Sequence, residues 1–267
     1  MPHDSTTATN AAAIPITSHA DGPGLLGAGM TAMSEQLDAL DASDWSKETD
    51  CTEWDVRAMV AHLVATAQEQ VRPSLTVTRM LRGRRHYRQR AALDARNQIQ
   101  IDDLAAYDGP TLRARYRELT PKAVASVRRT PAPLRALNVP SGLPGVPKLQ
   151  LGYLFDVIYL RDIWMHGVDI AWATGRPRVV GPADVPAVEQ VVRDLGREWS
   201  GPAVRLTVHG ALDASWMLGQ GDITAELAAD AVELCRSLAG RPPDQQPTLI
   251  AGDPAALTTL QEFRVLF

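Results

Sequence analysis

Apolar residues recur every three to four positions through most of the first 175 residues, a spacing typical of amphipathic helices. It predicts a first helix from Leu25 to about Leu40, and a second that begins at Glu53 and continues past Met80. Glu53 and Asp55 at the start of the second helix place negative charge at the positive end of its dipole. Pro73 predicts a bend there, because proline removes an internal hydrogen bond.

The same spacing predicts a third helix over residues 112–127, with a kink or break at Pro121, and a fourth from Leu149 to Ala173, which Gly175 ends. Between them, residues 131–147 are crowded with proline and glycine and are predicted to form a long loop. The fourth helix is apolar nearly all round. A helix with so little polar surface is buried, so its few polar residues need an explanation.

The pattern changes after Pro182. Alternating apolar residues predict strands, and a short helix is predicted before them and two after them. The fold class is therefore α+β, with an N-terminal four-helix bundle followed by a small α+β domain. The predicted domains are a disordered tail over 1–24, the bundle over 25–178 and the small domain over 179–267. Within the small domain we expect helices over 185–199, 228–238 and 255–263, a hairpin of strands 204–208 and 214–218, and a further strand over 222–227.

Composition narrows the class of protein. The 267 residues carry a formal net charge of −4, with no basic excess of the kind that nucleic-acid binding requires. No apolar run is long enough to span a membrane. The two cysteines, Cys51 and Cys235, form no CxxC pair and fit a reducing cytoplasm. The arginine-rich tract 79–90 is predicted to be a solvated helix face, with attraction of an anionic substrate as a subsidiary role.

Three polar residues interrupt the apolar fourth helix. Asp162, His166 and Asp169 lie four and three residues apart, which places them on one stripe of a helix. A carboxylate and an imidazole one turn apart can bind one metal ion, and His62 from the second helix could complete a set of three ligands with open positions. The alternative is that these are core histidines that pair with buried carboxylates. The spacing alone leaves both interpretations open.

Two segments carry a resemblance to a known family. Residues 51–63 read Cys-Thr-Glu-Trp-Asp-Val-Arg-Ala-Met-Val-Ala-His-Leu, and residues 161–170 read Arg-Asp-Ile-Trp-Met-His-Gly-Val-Asp-Ile. They resemble the mycothiol-dependent maleylpyruvate isomerase family, a branch of the DinB-like metalloenzymes. That family has a Trp before a His-Leu pair on the second helix, and an acid-x-x-x-His followed by an Asp-Ile-like pair on the fourth. Residues 204–210, 215–216, 225–230 and 233–241 look like the family's smaller, sterol-carrier-like domain.

The resemblance implies a DinB-like four-helix bundle that holds a divalent metal, usually zinc. Carried over by motif, its ligands are His62, Asp162 and His166. Asp162 departs from the family, in which this acid is often Glu. Asp169 would accept a hydrogen bond from a ligand imidazole. Arg241 resembles the basic residue that the family's C-terminal domain directs at the active site, where it is expected to be catalytic by holding a carboxylate.

The resemblance also implies an activity. The protein would be a cytoplasmic, thiol-dependent isomerase or S-transferase, in which a metal-activated mycothiol thiolate adds to a small α,β-unsaturated carbonyl compound. Its partners would be mycothiol and this electrophile, which could be anionic, with no nucleic acid and no membrane. The chain is expected to be a monomer or weak homodimer. The alternative is a non-catalytic binding protein, in which the bundle keeps a structural metal or none and the C-terminal domain carries a small hydrophobic ligand.

Overall fold

The computed structural model describes residues 9–143 and 146–267, and these divide into two compact units. One unit is Ser18–Ala183. The other consists of Asp184–Phe267 together with residues 9–17. The predicted boundary after residue 178 lies five residues before the observed division.

The unit Ser18–Ala183 is mainly helical, and four of its helices enclose its core. Helix α2 packs against α5 and α8, and α1 packs against the same two helices. The buried side chains between them are almost all aliphatic or Met, with Trp45 and Tyr116 added. The predicted helical bundle is confirmed. The helices are α1 (Gly22–Asp38), α2 (Val56–Val71), α3 (Ser74–His86), α4 (Ala92–Asp103), α5 (Gly109–Arg129), α6 (Ala132–Arg135), α7 (Leu151–Tyr153) and α8 (Tyr159–Thr174).

Several elements differ from the prediction. The second predicted helix is two helices, α2 and α3, because Pro73 ends the first and occupies the N-cap of the second. Helix α4 was not predicted. The expected loop over residues 131–147 contains α6 and much of a two-stranded antiparallel sheet, β2 (Asn138–Leu143) and β3 (Val146–Gln150), although residues 144–145 lie outside the described part. Pro121 lies inside α5. A π-helical turn, Leu154–Ile158, joins α7 to α8.

The second unit is a five-stranded sheet with helices. Strands β4 and β5 form the predicted antiparallel hairpin, with Leu206 opposite Trp216, and β6 lies parallel to β4 on its other side. Residues in β4 and β6 alternate between buried and more exposed, as expected for a sheet with one covered face. The sheet order is β1-β5-β4-β6-β7. The elements are β1 (Thr9–Asn10), α9 (Asp184–Glu198), β4 (Val204–His209), β5 (Ala214–Leu218), β6 (Ala225–Asp230), α10 (Ala231–Leu238), β7 (Thr248–Gly252) and α11 (Ala255–Glu262).

The prediction that residues 1–24 form a disordered tail is wrong for residues 9–24; residues 1–8 lie outside the described part. Strand β1 pairs in parallel with β5, and the Asn10 side chain donates to the carbonyl of Gly219 at 3.2 Å. Ala11 is fully buried against Gly196, where any added Cβ would clash. Ala11 is buried because the backbone of this segment lies close to Gly196. A search for large apolar side chains does not detect this kind of burial.

Among the described residues, every helix is too short or too polar to cross a lipid bilayer.

Candidate metal centre

Helices α2 and α8 position the three predicted ligands. Helix α2 begins after the N-cap Asp55, whose carboxylate accepts from the Ala58 backbone N–H at 2.7 Å. This start places His62 on the second turn of the helix, where its side chain is buried. Helix α8 ends at Gly175, which adopts the left-handed conformation with φ of 69°. Its Asp162 and His166 lie one turn apart on one stripe.

The structure brings these three side chains to one point. Asp162 uses one carboxylate oxygen for each imidazole: Oδ2 lies 3.5 Å from Nε2 of His62, and Oδ1 lies 3.3 Å from Nε2 of His166. All three donor atoms lie within 4.8 Å of one another. Both histidines are buried, whereas the Asp162 side chain is 22% exposed, so solvent reaches the carboxylate more than either imidazole.

These separations fit a divalent metal. Two ligands of a tetrahedral zinc ion, each about 2.0–2.1 Å from the metal, are about 3.3 Å apart. The two distances from Asp162, one from each of its carboxylate oxygens, are close to this value. Two imidazoles and one carboxylate are also the donor set of catalytic zinc sites, in which a fourth position stays open. The residues present therefore fit the ion.

Trp54 forms one wall of the centre. Its ring centroid lies 5.1 Å from that of His62 and 6.0 Å from that of His166, and the two imidazoles meet edge to face at 5.4 Å. In the sequence, Trp54 is the Trp that precedes the His-Leu pair of the family motif. An aromatic ring against both imidazoles limits their rotation and keeps water from that side.

Asp169 supports His166 from the side away from Asp162. It is fully buried, and its Oδ2 accepts from Nδ1 of His166 at 3.1 Å. The thiol of Cys51 lies 3.8 Å from the same oxygen, and Cys51, His166 and Asp169 form a second group whose possible ligand atoms all lie within 4.8 Å of one another.

The charges at the centre are strongly coupled. Burial disfavours the charged forms of both Asp162 and His166, but their mutual attraction outweighs it. The pKa of Asp162 therefore lies well below its usual range. The pKa of His166 rises to about 9, because Asp162 and then Asp169 stabilise the imidazolium. In the metal-free protein, a proton on His166 thus neutralises negative charge that a metal ion would otherwise offset.

Two buried hydroxyls in the same bundle have no hydrogen-bond partner among the described residues. They are Oγ1 of Thr66, one turn after His62 on α2, and the hydroxyl of Tyr116 on α5. Burial raises the pKa of Tyr116, and the negative charge of Asp162 raises it further, so this phenol is a neutral donor. Buried polar groups are rarely left unsatisfied.

Arg241, the predicted catalytic arginine, lies in the other unit just after α10. Its Nη1 donates to the carbonyl oxygen of Ala239 at 3.2 Å. The more deeply buried arginine nearby is Arg236, which pairs with Glu233 at 3.1 Å.

The arginine-rich tract is only partly a solvated face. Arg79 is 3% exposed and forms ion pairs with Glu69 at 3.2 Å and Asp103 at 3.0 Å. Arg84 and Arg85, later on the same helix, are exposed. The tract thus mixes a buried structural arginine with a basic surface.

Comparison with known proteins places the chain in a family. A family model described as the mycothiol maleylpyruvate isomerase N-terminal domain matches residues 26–171, more than half of the chain. The chain belongs to this family. No protein with a curated description matches its sequence.

Two crystal structures agree with the fold assignment. One is of a mycothiol-dependent maleylpyruvate isomerase, with 16% identity and a TM-score of 0.59. The other is of a mutant of such an isomerase in which a histidine is replaced by alanine, with 15% identity and a TM-score of 0.56. Each comparison covers 88% of this chain and 94% of the other. At this identity the likeness establishes the α+β fold with its helical N-terminal region, and it does not transfer an activity.

Proposed function

We propose that this member of the family is a mycothiol-dependent metalloenzyme that directs a metal-activated thiolate at a small α,β-unsaturated carbonyl compound. The observation that carries the proposal is the convergence of His62, Asp162 and His166 on one point, with all donor atoms within 4.8 Å. Two imidazoles and one carboxylate leave a coordination position for an exogenous ligand.

In this proposal each residue has a separate task. His62, Asp162 and His166 hold a divalent ion, for which Zn²⁺ is our choice because nitrogen and oxygen ligands of this kind suit it. When bound, the ion would supply a thiolate at neutral pH by removing the proton of a coordinating thiol. Asp169 fixes the ring of His166 through its Nδ1–H. Arg241 binds a carboxylate of the substrate in a bidentate manner, a role supported by the resemblance of its segment.

The substrate class follows from the chemistry and from the relatives. A soft thiolate reacts at the β-carbon of a conjugated carbonyl compound, and the relatives with crystal structures are named for maleylpyruvate. The isomerase outcome returns the free thiol and a trans product. The transferase outcome leaves the thiol attached. The cytoplasm is the proposed location because a reducing compartment keeps mycothiol in its thiol form.

The test is turnover of the zinc-loaded full-length protein with mycothiol and maleylpyruvate, followed by mass spectrometry and chromatography. We expect a product of unchanged mass for an isomerase, or a mycothiol adduct for a transferase. His62→Ala should abolish turnover, whereas His86→Ala, an exposed histidine on α3, should leave it unchanged. Arg241→Lys should raise KM more than it lowers kcat.

The same experiment separates the alternative function. A non-catalytic binding protein would retain its metal but turn over none of a panel of cis unsaturated acids and enones with mycothiol. Thiol-dependent turnover that survives His62→Ala would contradict the assigned centre. Absence of stoichiometric metal in protein that has been reconstituted with zinc would contradict the proposed enzyme and would leave only a binding protein without a metal.

A further inference from the structure

A buried hydrogen-bond relay leads away from the proposed metal centre on the side of His62. Nδ1 of His62 lies 2.8 Å from Oε1 of Gln100, and Nε2 of Gln100 donates to Oε1 of Glu69 at 2.8 Å. Gln100 is 0% exposed and Glu69 is 2% exposed. The chain of contacts crosses from α2 to α4 and returns to α2.

Glu69 fixes the orientation of the amide. Its carboxylate is held by Arg79 at 3.2 Å and by Arg96 at 2.9 Å, so its oxygens act only as acceptors. The group of Gln100 that faces Glu69 must therefore be the NH₂ donor. The opposite orientation would set two acceptor oxygens against each other at 2.8 Å. The carbonyl oxygen of Gln100 must then face His62.

The amide in turn fixes the histidine. A carbonyl oxygen only accepts, so Nδ1 of His62 must carry the proton. In the neutral ring this leaves the lone pair on Nε2, the atom 3.5 Å from Oδ2 of Asp162. A lone pair facing a carboxylate oxygen at this distance is repulsive unless a cation lies between them. The relay thus keeps His62 in the one neutral tautomer that can bind a metal through Nε2.

We infer that Gln100 is a positioning residue that sets the tautomer of His62 for metal binding, and that Glu69, held by Arg79 and Arg96, orients Gln100. This inference rests on the proposed function only in naming the metal. It gives the two ligand histidines different supports: a buried amide for His62 and a carboxylate for His166. An uncharged support for His62 adds no further negative charge to a centre that already contains Asp162.

Gln100→Met tests the inference, because Met keeps the length of the side chain and removes both hydrogen bonds. We expect zinc affinity, measured by competition with a chromophoric chelator, to fall about 10–100-fold. The matched control is Gln98→Met on the same helix, whose side chain bonds Asp102 at the surface and should leave the affinity unchanged. Wild-type affinity in Gln100→Met would overturn the inference.

Gln100→Glu separates positioning from packing. A carboxylate at position 100 can still accept from Nδ1 of His62, so zinc affinity should exceed that of Gln100→Met. It also faces Glu69, so the thermal stability should fall below that of the wild type. Zinc affinity no better than that of Gln100→Met would contradict the role of the acceptor.

A spectroscopic readout does not depend on the metal. In ¹⁵N-labelled metal-free protein, at a pH where the ring is neutral, His62 should show a protonated Nδ1 and an unprotonated Nε2. Gln100→Met should lose this preference and Gln98→Met should keep it. A wild-type ring protonated at Nε2 would overturn the inference. If the wild type fails to bind zinc but His62 shows the expected tautomer, the proposed function fails while the relay stands.

Discussion

Removing the charge of Glu69 should destabilise the helical unit strongly. Each of its oxygens accepts two hydrogen bonds: Oε1 from Arg79 and Gln100, and Oε2 from Arg96 and Thr76, all between 2.8 and 3.2 Å. In Glu69→Gln, one of these oxygens becomes an NH₂ group that faces two donors. At least one guanidinium then loses its compensating charge.

The size of the effect follows from burial. Breaking a buried ion pair by removing one partner costs about 3–5 kcal/mol. Arg79 keeps Asp103 and the Ala65 carbonyl, and Arg96 has 17% of its side chain exposed to water. We therefore expect a loss of about 3 kcal/mol in the free energy of unfolding, the lower end of that range.

Urea denaturation followed by far-ultraviolet circular dichroism measures this loss, since most helices lie in this unit. The matched control is Glu118→Gln, which changes an exposed i,i+4 pair with Lys122 and should leave the free energy of unfolding close to that of the wild type. A loss below about 1 kcal/mol in Glu69→Gln would refute the view that the buried charge cluster depends on this carboxylate.

Three further predictions test other parts of the fold and the site. The pKa of Asp44 is lowered to about 2 by its hydrogen bond to Lys47 and by Arg176, despite burial. The loss of stability caused by Asp44→Asn should therefore be largest above the unfolded-state pKa of about 3.9. In urea denaturation, the difference in stability between Asp44→Asn and the wild type should shrink as the pH falls toward 2. A difference that does not change with pH would contradict this. Gly109→Ala should lower the free energy of unfolding, measured by thermal denaturation, by about 1–3 kcal/mol, because its Cβ would lie 2.1 Å from the ring of Trp45. In the control Gly24→Ala, the new Cβ meets nothing within 4 Å, so the substitution should be neutral or stabilising. Equal losses of stability in the two variants would contradict the clash with Trp45. Asp169→Asn should weaken zinc binding about 10–100-fold in chelator competition, and an unchanged affinity would remove Asp169 from the support of His166.

The local pattern of apolar residues was sufficient to predict the bundle helices that carry large apolar stripes. Gly175 ends α8 as predicted because its backbone adopts positive φ. Helix α4 was missed because its residues are mostly polar and because Ile99, Gln100 and Ile101 alternate as in a strand. Its contacts with α3 and α2 include the ion pairs of Asp103 with Arg79 and of Arg96 with Glu69, which no local pattern reveals.

The candidate site was predicted unevenly for a related reason. The stripe of Asp162 and His166 and the motif around His62 pointed to the three proposed ligands, which the structure brings together. The relay through Gln100 went unnoticed, because it joins residues 38 and 31 positions apart in the chain. A signal that could have suggested it is the spacing of Glu69, which follows His62 by seven residues and therefore lies on the same face of the helix.

The central claim is that His62, Asp162 and His166 bind one metal ion that stays open to a thiol. Cobalt substitution tests it most directly, since the visible spectrum of Co²⁺ reports its ligands. We expect one cobalt per chain and a new thiolate-to-cobalt charge-transfer band when mycothiol is added, both lost in His62→Ala. Substoichiometric cobalt, or a spectrum that mycothiol leaves unchanged, would contradict the claim.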